Sequence, residues 1–411
     1  MNIELNMAWR NLWRHRKRTW LTVGAMVFSN VLLIFMLSLQ LGSYQMMIEG
    51  SLKLFTGHVQ LQHPDYLQQP KLRNAITDSE RLSQRLRQAL PELNISQRAE
   101  TFALVSSEQR SLGVKIIGIE PQYDGAVSSL KQSLHSGRYF SAPDRAEIIL
   151  GSVLADNLNV AIGDEITLLG NADDGSFAAG VTTVIGIFQT NVNDIDRNLA
   201  QLPLEYFRET FFNQQSLSNA IVVTGANASQ AERIQQQLQQ RVVPHADVVA
   251  LNWDQLQPGV KQSIQADLAS NAVIYFVLVI LVCFSVMNTQ LMSVLERTRE
   301  FGTVIALGFK PLRLSKLVML ESILMALLGL VISVTIGALV TYYFVINGLQ
   351  FSGMEEMAQK FHMDDTIYPT LNIISILTGP ILVCLGTVVA TLYPALKILK
   401  LEPLQAMKAI S

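Results

Sequence analysis

Four stretches with almost no charge decide what this chain can fold into. Residues Thr19 to Leu41 contain no Asp, Glu, Lys or Arg, and at 1.5 Å per residue such a helix spans roughly 34 Å, enough to cross a bilayer. Asn271–Leu295, Leu317–Ile346 and Leu371–Leu396 share this character, with Glu321 the lone charge among them. The composition agrees, at 49% apolar and 16% charged, with a mean hydropathy of +0.28. The basic run Arg14-His15-Arg16-Lys17-Arg18 also fits a cleaved signal peptide, but the apolar core after it is too long and three more spans follow. The expected fold is an α-helical membrane protein with four transmembrane helices plus an α+β extracytoplasmic domain inserted between the first and second.

The basic residues set the orientation. Arg10, Arg14, Arg16, Lys17 and Arg18 precede the first span, Arg297, Arg299, Lys310, Arg313 and Lys316 separate the second from the third, and Lys397, Lys400 and Lys408 follow the fourth. The loop between the last two spans carries Glu355, Glu356, Asp364 and Asp365 against Lys360. The positive-inside rule therefore places both termini in the cytoplasm. The expected order is a cytoplasmic amphipathic helix at 1–18, spans at 19–41, 271–295, 317–346 and 371–396, an outer domain at 42–270, a cytoplasmic elbow at 296–310, a short outer loop at 347–370 and a cytoplasmic tail at 397–411.

The outer segment has the composition of a globular α+β domain. His58–Leu61, Val114–Ile119, Glu165–Leu169, Val181–Ile187 and Ala220–Thr224 read as strands, being β-branched or alternating. Asp78–Leu90 and Gln230–Val242 read as amphipathic helices, and Asp174-Gly175 as a hairpin turn. About 225 residues can bury a core, here expected in two subdomains. Ahead of the first span, Leu5, Ala8, Trp9, Leu12 and Trp13 recur at helical spacing opposite Arg10, Arg14 and Lys17, the pattern of an interfacial helix. Trp9, Trp13 and Trp20 would lie at headgroup level, and the helix serves anchoring alone or also a cytoplasmic partner.

Catalytic signatures are missing. There is no Gly-Lys dipeptide, hence no phosphate-binding loop, and neither HExxH nor GxSxG occurs. The chain reads as a non-enzyme. His58 and His63 point to opposite faces of one strand, and Cys283 and Cys384 lie in apolar runs where a thiol behaves as a small hydrophobe; no metal or cofactor is expected. Asp194, Asp196 and Arg197 read as an exposed loop. Within the spans, Asn30, Gln40, Asn288, Gln290 and Glu321 should face protein or water, with Glu321 paired to Arg297 or Arg299. Ala326, Gly329, Ser333 and Gly337 form a small-residue stripe that invites close helix packing, within the bundle or at a dimer interface. Gly379-Pro380 should kink the fourth span.

The most specific stretch lies between spans two and three. In Glu296-Arg-Thr-Arg-Glu-Phe-Gly-Thr-Val-Ile-Ala-Leu-Gly308, the charges Glu296, Arg297, Arg299 and Glu300 sit at the bilayer exit while Phe301, Val304 and Ile305 form an apolar face. Gly308 can end this helix and Pro311 can open the next. Such an elbow suits another protein's groove, or is a plain connector.

The stretch 296–308 resembles the ER-x-x-E-[IF]-G-x-x-x-A-[LI]-G signature of ATP-binding-cassette permeases of the MacB, LolC/LolE and FtsX type. AWRNLWRHRKRTWLT near the start, EIILGSVLADNLNVAIGDEITLL at 147–169 and YPALKILKLEPLQAMKAI near the end agree. The resemblance implies a MacB-core-like periplasmic domain, an inner-membrane location, and an elbow that couples to a separate ATPase carrying ATP and Mg. Glu296, Arg297, Glu300, Gly302, Ala306 and Gly308 take the coupling role by matching position, with Arg299 beside them; Ile305 stands where the family often has a basic residue, which shifts docking toward Phe301, Val304 and Ile305. Implied partners are that ATPase, a second permease copy or paralogue, membrane lipids, and a periplasmic carrier or membrane-fusion protein; no nucleic acid is expected. Spans one and two adjoin the two ends of the outer domain, so their relative movement must move it. Lipoprotein or amphiphile release is the favoured function; efflux of a periplasmic substrate, FtsX-like signalling to a cell-wall hydrolase, and a receptor without an ATPase are the alternatives.

Overall fold

The computed structural model describes residues 3–14, 16–190, 192–212, 216–241, 247–350 and 366–400. Most of the outer loop expected at 347–370, including its acidic residues, the tail beyond Lys400 and Val242 of the second amphipathic helix lie outside the described residues.

In chain order, α1 (Ile3–Arg14) and α2 (Arg16–Ser51) are followed by a single π-helical turn, Leu52–Thr56. Ten strands come next: β1 (Val59–Gln62), β2 (Asn94–Ser106), β3 (Ser111–Ile119), β4 (Leu134–Gly137), β5 (Glu147–Gly151), β6 (Glu165–Asn171), β7 (Phe177–Phe188), β8 (Leu199–Pro203), β9 (Ala220–Thr224) and β10 (Val249–Asn252). Between them lie α3 (Ser79–Ala89), α4 (Asp124–Val127), α5 (Ser152–Leu158), α6 (Asn193–Asn198), α7 (Leu204–Phe211), α8 (Ala231–Arg241) and α9 (Trp253–Leu256). The chain ends in α10 (Pro258–Glu296), α11 (Thr298–Ala306), α12 (Pro311–Asn347), the short strands β11 (Leu349–Gln350) and β12 (Thr366–Ile367), and α13 (Ile373–Leu399).

Two compact units result, the described residues of one lying within 3–44, 264–350 and 366–400 and those of the other within 45–263. Both chain crossings between them fall inside helices, α2 and α10. The first unit holds four helices long and apolar enough to cross a membrane: α2, α10, α12 and α13. At 36 and 39 residues, α2 and α10 are roughly 54 and 58 Å long, well beyond the uncharged spans read from the sequence.

The second unit is built on one ten-stranded sheet. β6 pairs with both β2 and β7, which closes β2-β3-β8-β5-β7-β6 into a ring, while β10 and β4 end the strand order. The pleat sorts the ring's side chains. Ala99, Ala103, Val105, Val114, Ile116, Ile148, Leu150, Ile166, Leu168, Ala178, Val184, Ala200 and Leu202 join Leu154 of α5 and Phe207 and Phe211 of α7 in one core. Alternate positions Ile117, Ile119, Ile149, Ile185 and Leu199 join Phe140 and Phe188 in another. Of the remaining strands, β4 pairs with β7, and β1, β9 and β10 pack with α3 and α8 around Val59, Leu61, Ile221, Val223, Ile234 and Leu238. One continuous sheet thus carries more than one core.

The expected strands and helices of this unit form, but one polar cluster departs from expectation. Asp196, read as part of an exposed loop, is 3% exposed. Its Oδ1 accepts from the backbone N–H and hydroxyl of Thr190 at 2.8 and 2.7 Å. A carboxylate that satisfies local donors can be buried, and spacing alone does not reveal that.

Candidate functional site

The elbow is made by two local events. Arg297, at φ −96° and ψ 8°, interrupts the helix between α10 and α11, and Gly308, at φ +96°, turns the chain where a side chain would be strained. Pro311 then opens α12 in its first turn, where its missing N–H costs nothing.

Packing fixes the direction in which α11 faces. Phe301 is 3% exposed and lies in a cluster with Val294 of α10, Leu314 and Val318 of α12 and Ile398 of α13, flanked by Val304 and Ile305. The Arg297 guanidinium sits 5.0 Å over the Phe301 ring, and its Nη1 donates to Glu321 at 3.3 Å. Glu321, on α12, also accepts from Asn11 Nδ2 of α1 at 2.7 Å. One buried carboxylate thus ties together α1, the α10–α11 break and α12. Outside this core, Arg18 reaches Glu296 at 3.0 Å and Arg14 reaches Glu300 at 3.4 Å. Those pairs are exposed, and each contributes only about 0.2–1 kcal/mol.

This geometry corrects the expected docking face. Phe301, Val304 and Ile305 are turned toward the chain's own helices, and Gly302 is buried with them. An apolar period shows that a face is covered without showing by what. Arg297 likewise serves the interior. The exposed positions are Glu296, Arg299, Glu300, Thr303, Ala306, Gly308 and two apolar residues that the periodicity missed, Leu307 at 76% and Phe309 at 52%. These two flank Gly308 outside the helical repeat; their only signal was bulk apolar character beside a turn. Arg14 and Arg18 were equally unassigned to the elbow, although their four-residue spacing could have suggested a shared partner.

The small-residue stripe on α12 also has an internal use. A Cβ on Gly337 would lie 2.7 Å from Ile34 Cδ1, and one on Gly329 would lie 3.4 Å from Met26 Sδ. Ala326 and Ser333 are buried as well. The stripe therefore admits α2 of the same chain, the first of the two uses expected for it. Of the polar residues in the spans, Glu321 pairs with Arg297 rather than the exposed Arg299, Asn30 and Gln290 are buried, and Asn288 is exposed on α10. Among the described residues, no group of three His, Cys, Asp or Glu side chains could hold a metal ion.

Four long apolar helices, a folded domain inserted after the first and a rigid elbow after the second define a multi-pass membrane permease. The FtsX-like permease C-terminal family model matches residues 272–403, and the MacB-like periplasmic core domain model matches residues 19–241. The chain belongs to this family of ABC-transporter permeases, the MacB/LolC/LolE/FtsX family. It is 22% identical over 327 residues to the lipoprotein-releasing system transmembrane protein LolC of Xylella fastidiosa, covering 75% of this chain and 76% of that one. The corresponding LolE of Haemophilus influenzae is 22% identical over 347 residues, 80% of each chain. The macrolide export ATP-binding/permease protein MacB of Sodalis glossinidius is 26% identical over 361 residues, 82% of this chain but 52% of MacB.

Proposed function

We propose that this chain is the non-catalytic permease subunit of an ABC transporter in a bacterial inner membrane, with both termini cytoplasmic, and that it serves lipoprotein or amphiphile release. The observation that carries this reading is the braced elbow. α11 is locked to α10, α12 and α13 through Phe301 and to α1 through Glu321, while Leu307, Phe309 and the charges Arg299 and Glu300 stay exposed. A helix fixed on one side and open on the other passes force from a separate ATPase, which holds ATP and Mg, into the spans. α2 and α10 are continuous through both chain crossings into the inserted domain, so their movement must move that domain. Lipoprotein release is favoured because the match runs through about three quarters or more of LolC and LolE. Export of a MacB type is the second reading, supported by the 26% identity to MacB.

A second permease, identical or paralogous, completes the complex along α10. There Ile274, Leu281, Phe284 and Met292 are exposed together with the polar Asn288, which hydrocarbon alone would not solvate.

The test is co-purification with the ATPase encoded beside this chain. Leu307→Asp and Phe309→Asp, each outside the buried cluster, should weaken capture and stimulated ATP hydrolysis by about tenfold or more, as for interface anchors, with unchanged membrane insertion. If both behave like native protein, the coupling role of the elbow is wrong.

A further inference from the structure

Beside the elbow, a cavity of about 490 Å³ is lined by Trp13, Arg14, Arg16, Lys17, Arg18 and Glu296. Four cations face one carboxylate. Arg14 and Arg18 are already engaged by Glu300 and Glu296; among the described residues, neither Arg16 nor Lys17 has an ion-pair partner, and both are exposed. The first turn of α2 carries no acidic side chain to offset these cations. Like charges gathered this way repel one another unless an anion joins them.

We infer that this cavity binds the phosphate of an anionic phospholipid, and that the phosphate competes with Glu296 and Glu300 for Arg18 and Arg14. The inference rests on the membrane reading above. Lipid rather than free phosphate is indicated by the surface of α2 that follows. Trp20, Leu21 and Phe28 are 52, 75 and 70% exposed, and Trp20 meets Trp13 edge-on at 6.3 Å between ring centroids. A ligand with an anionic head and acyl tails satisfies both ends of this site: guanidinium and ammonium groups take the head, and indole and aliphatic surfaces take the glycerol and chains. Because Arg14 and Arg18 also hold the elbow, a bound headgroup loosens the brace between α1 and α11. Lipid charge thereby adjusts the stiffness of the coupling element.

The experiment is native mass spectrometry of the full chain in detergent with dioleoyl phosphatidylglycerol, dioleoyl phosphatidylcholine, or phosphatidylglycerol plus excess glycerol 3-phosphate. Native protein should retain phosphatidylglycerol about tenfold better than phosphatidylcholine, and Arg16→Gln with Lys17→Gln should abolish most of that preference. Glu296→Gln, which removes the competitor, should raise retention. Lys397→Gln with Lys400→Gln, which removes the same charge elsewhere, should leave it unchanged, and an unaltered gel-filtration profile checks folding. Equal retention of both lipids, an equal loss in the Lys397/Lys400 control, or displacement by glycerol 3-phosphate would overturn the site. A fall in retention with Glu296→Gln would overturn the competition. None of these readouts involves an ATPase, so their failure is separate from failure of the permease reading.

Discussion

Each unit of this molecule buries an arginine–carboxylate pair beneath a phenylalanine ring, and the two pairs are held very differently. In the inserted domain, Arg98 of β2 bonds Asp124 Oδ1 through Nε at 2.8 Å and Nη2 at 2.6 Å, donates to the Phe55 carbonyl, and lies 4.8 Å over the Phe55 ring. Both side chains are 1% exposed. In the helical unit, Arg297 and Glu321 are 12 and 7% exposed and meet at 3.3 and 3.5 Å. The first pair is anchored within a closed sheet whose neighbours leave it no alternative. The second joins residues of three helices through longer contacts. Burial alone does not make a strut.

The comparison can be broken most easily at Arg98. Arg98→Met should cost roughly 3–5 kcal/mol, because it strands the Asp124 carboxylate away from water, whereas Arg98→Met with Asp124→Leu should recover much of the loss. Thermal unfolding and limited proteolysis of the full chain in detergent measure this. A single variant as stable as native protein would mean that the pair is solvated and the contrast false.

Arg297→Gln and Glu321→Gln should have smaller effects. Asn11 still has an oxygen to bond when Glu321 becomes Gln, and Arg297 keeps Glu300 at 3.5 Å. A double-mutant cycle on stability should give a coupling of about 0.5–3 kcal/mol. Stimulated ATP hydrolysis should fall more than binding of the ATPase, because the elbow remains but transmits less. Equal losses in binding and hydrolysis would turn Glu321 into an ordinary fold residue and erase the distinction between strut and joint.

What the sequence revealed follows the same division. Local signals were legible: uncharged runs of span length, the β-branched strand β9, the Asp174-Gly175 turn between β6 and β7, and the Gly308 and Pro311 boundaries of the elbow all depend on nearby residues. Partners across space were not. β2 was missed because Ser96, Gln97 and Arg98 are polar yet buried, which hides the strand's alternation, and ring closure by β6 onto β2 joins segments about sixty residues apart. Phe301 and the stripe at Gly329 and Gly337 were recognised as contact surfaces without their partners being fixed, since periodicity identifies a face and not its neighbour. Family resemblance singled out the segment; only packing shows which side of it is free.

The smallest expected effect distinguishes the two units by acid sensitivity. His58 is 4% exposed, and its Nδ1 accepts the Gly225 N–H at 3.0 Å, a bond that protonation of that nitrogen would destroy. Burial pushes its pKa below the ordinary 6.5, with Glu49 opposing and Lys53 adding to the shift. The unfolded chain therefore takes up a proton more readily than the folded one, so this contribution to stability is present above about pH 6.5 and is lost as the pH falls from there toward the folded pKa. Acidification from pH 7.5 to 5.5 should thus loosen the inserted domain, read by hydrogen exchange at Gly225 and the neighbouring β9 amides, more than α2, α12 or α13. His58→Gln should remove part of that difference. Equal acid sensitivity in native protein and His58→Gln would show that other groups carry it, and the contrast between the two units would have to be rebuilt on the carboxylates.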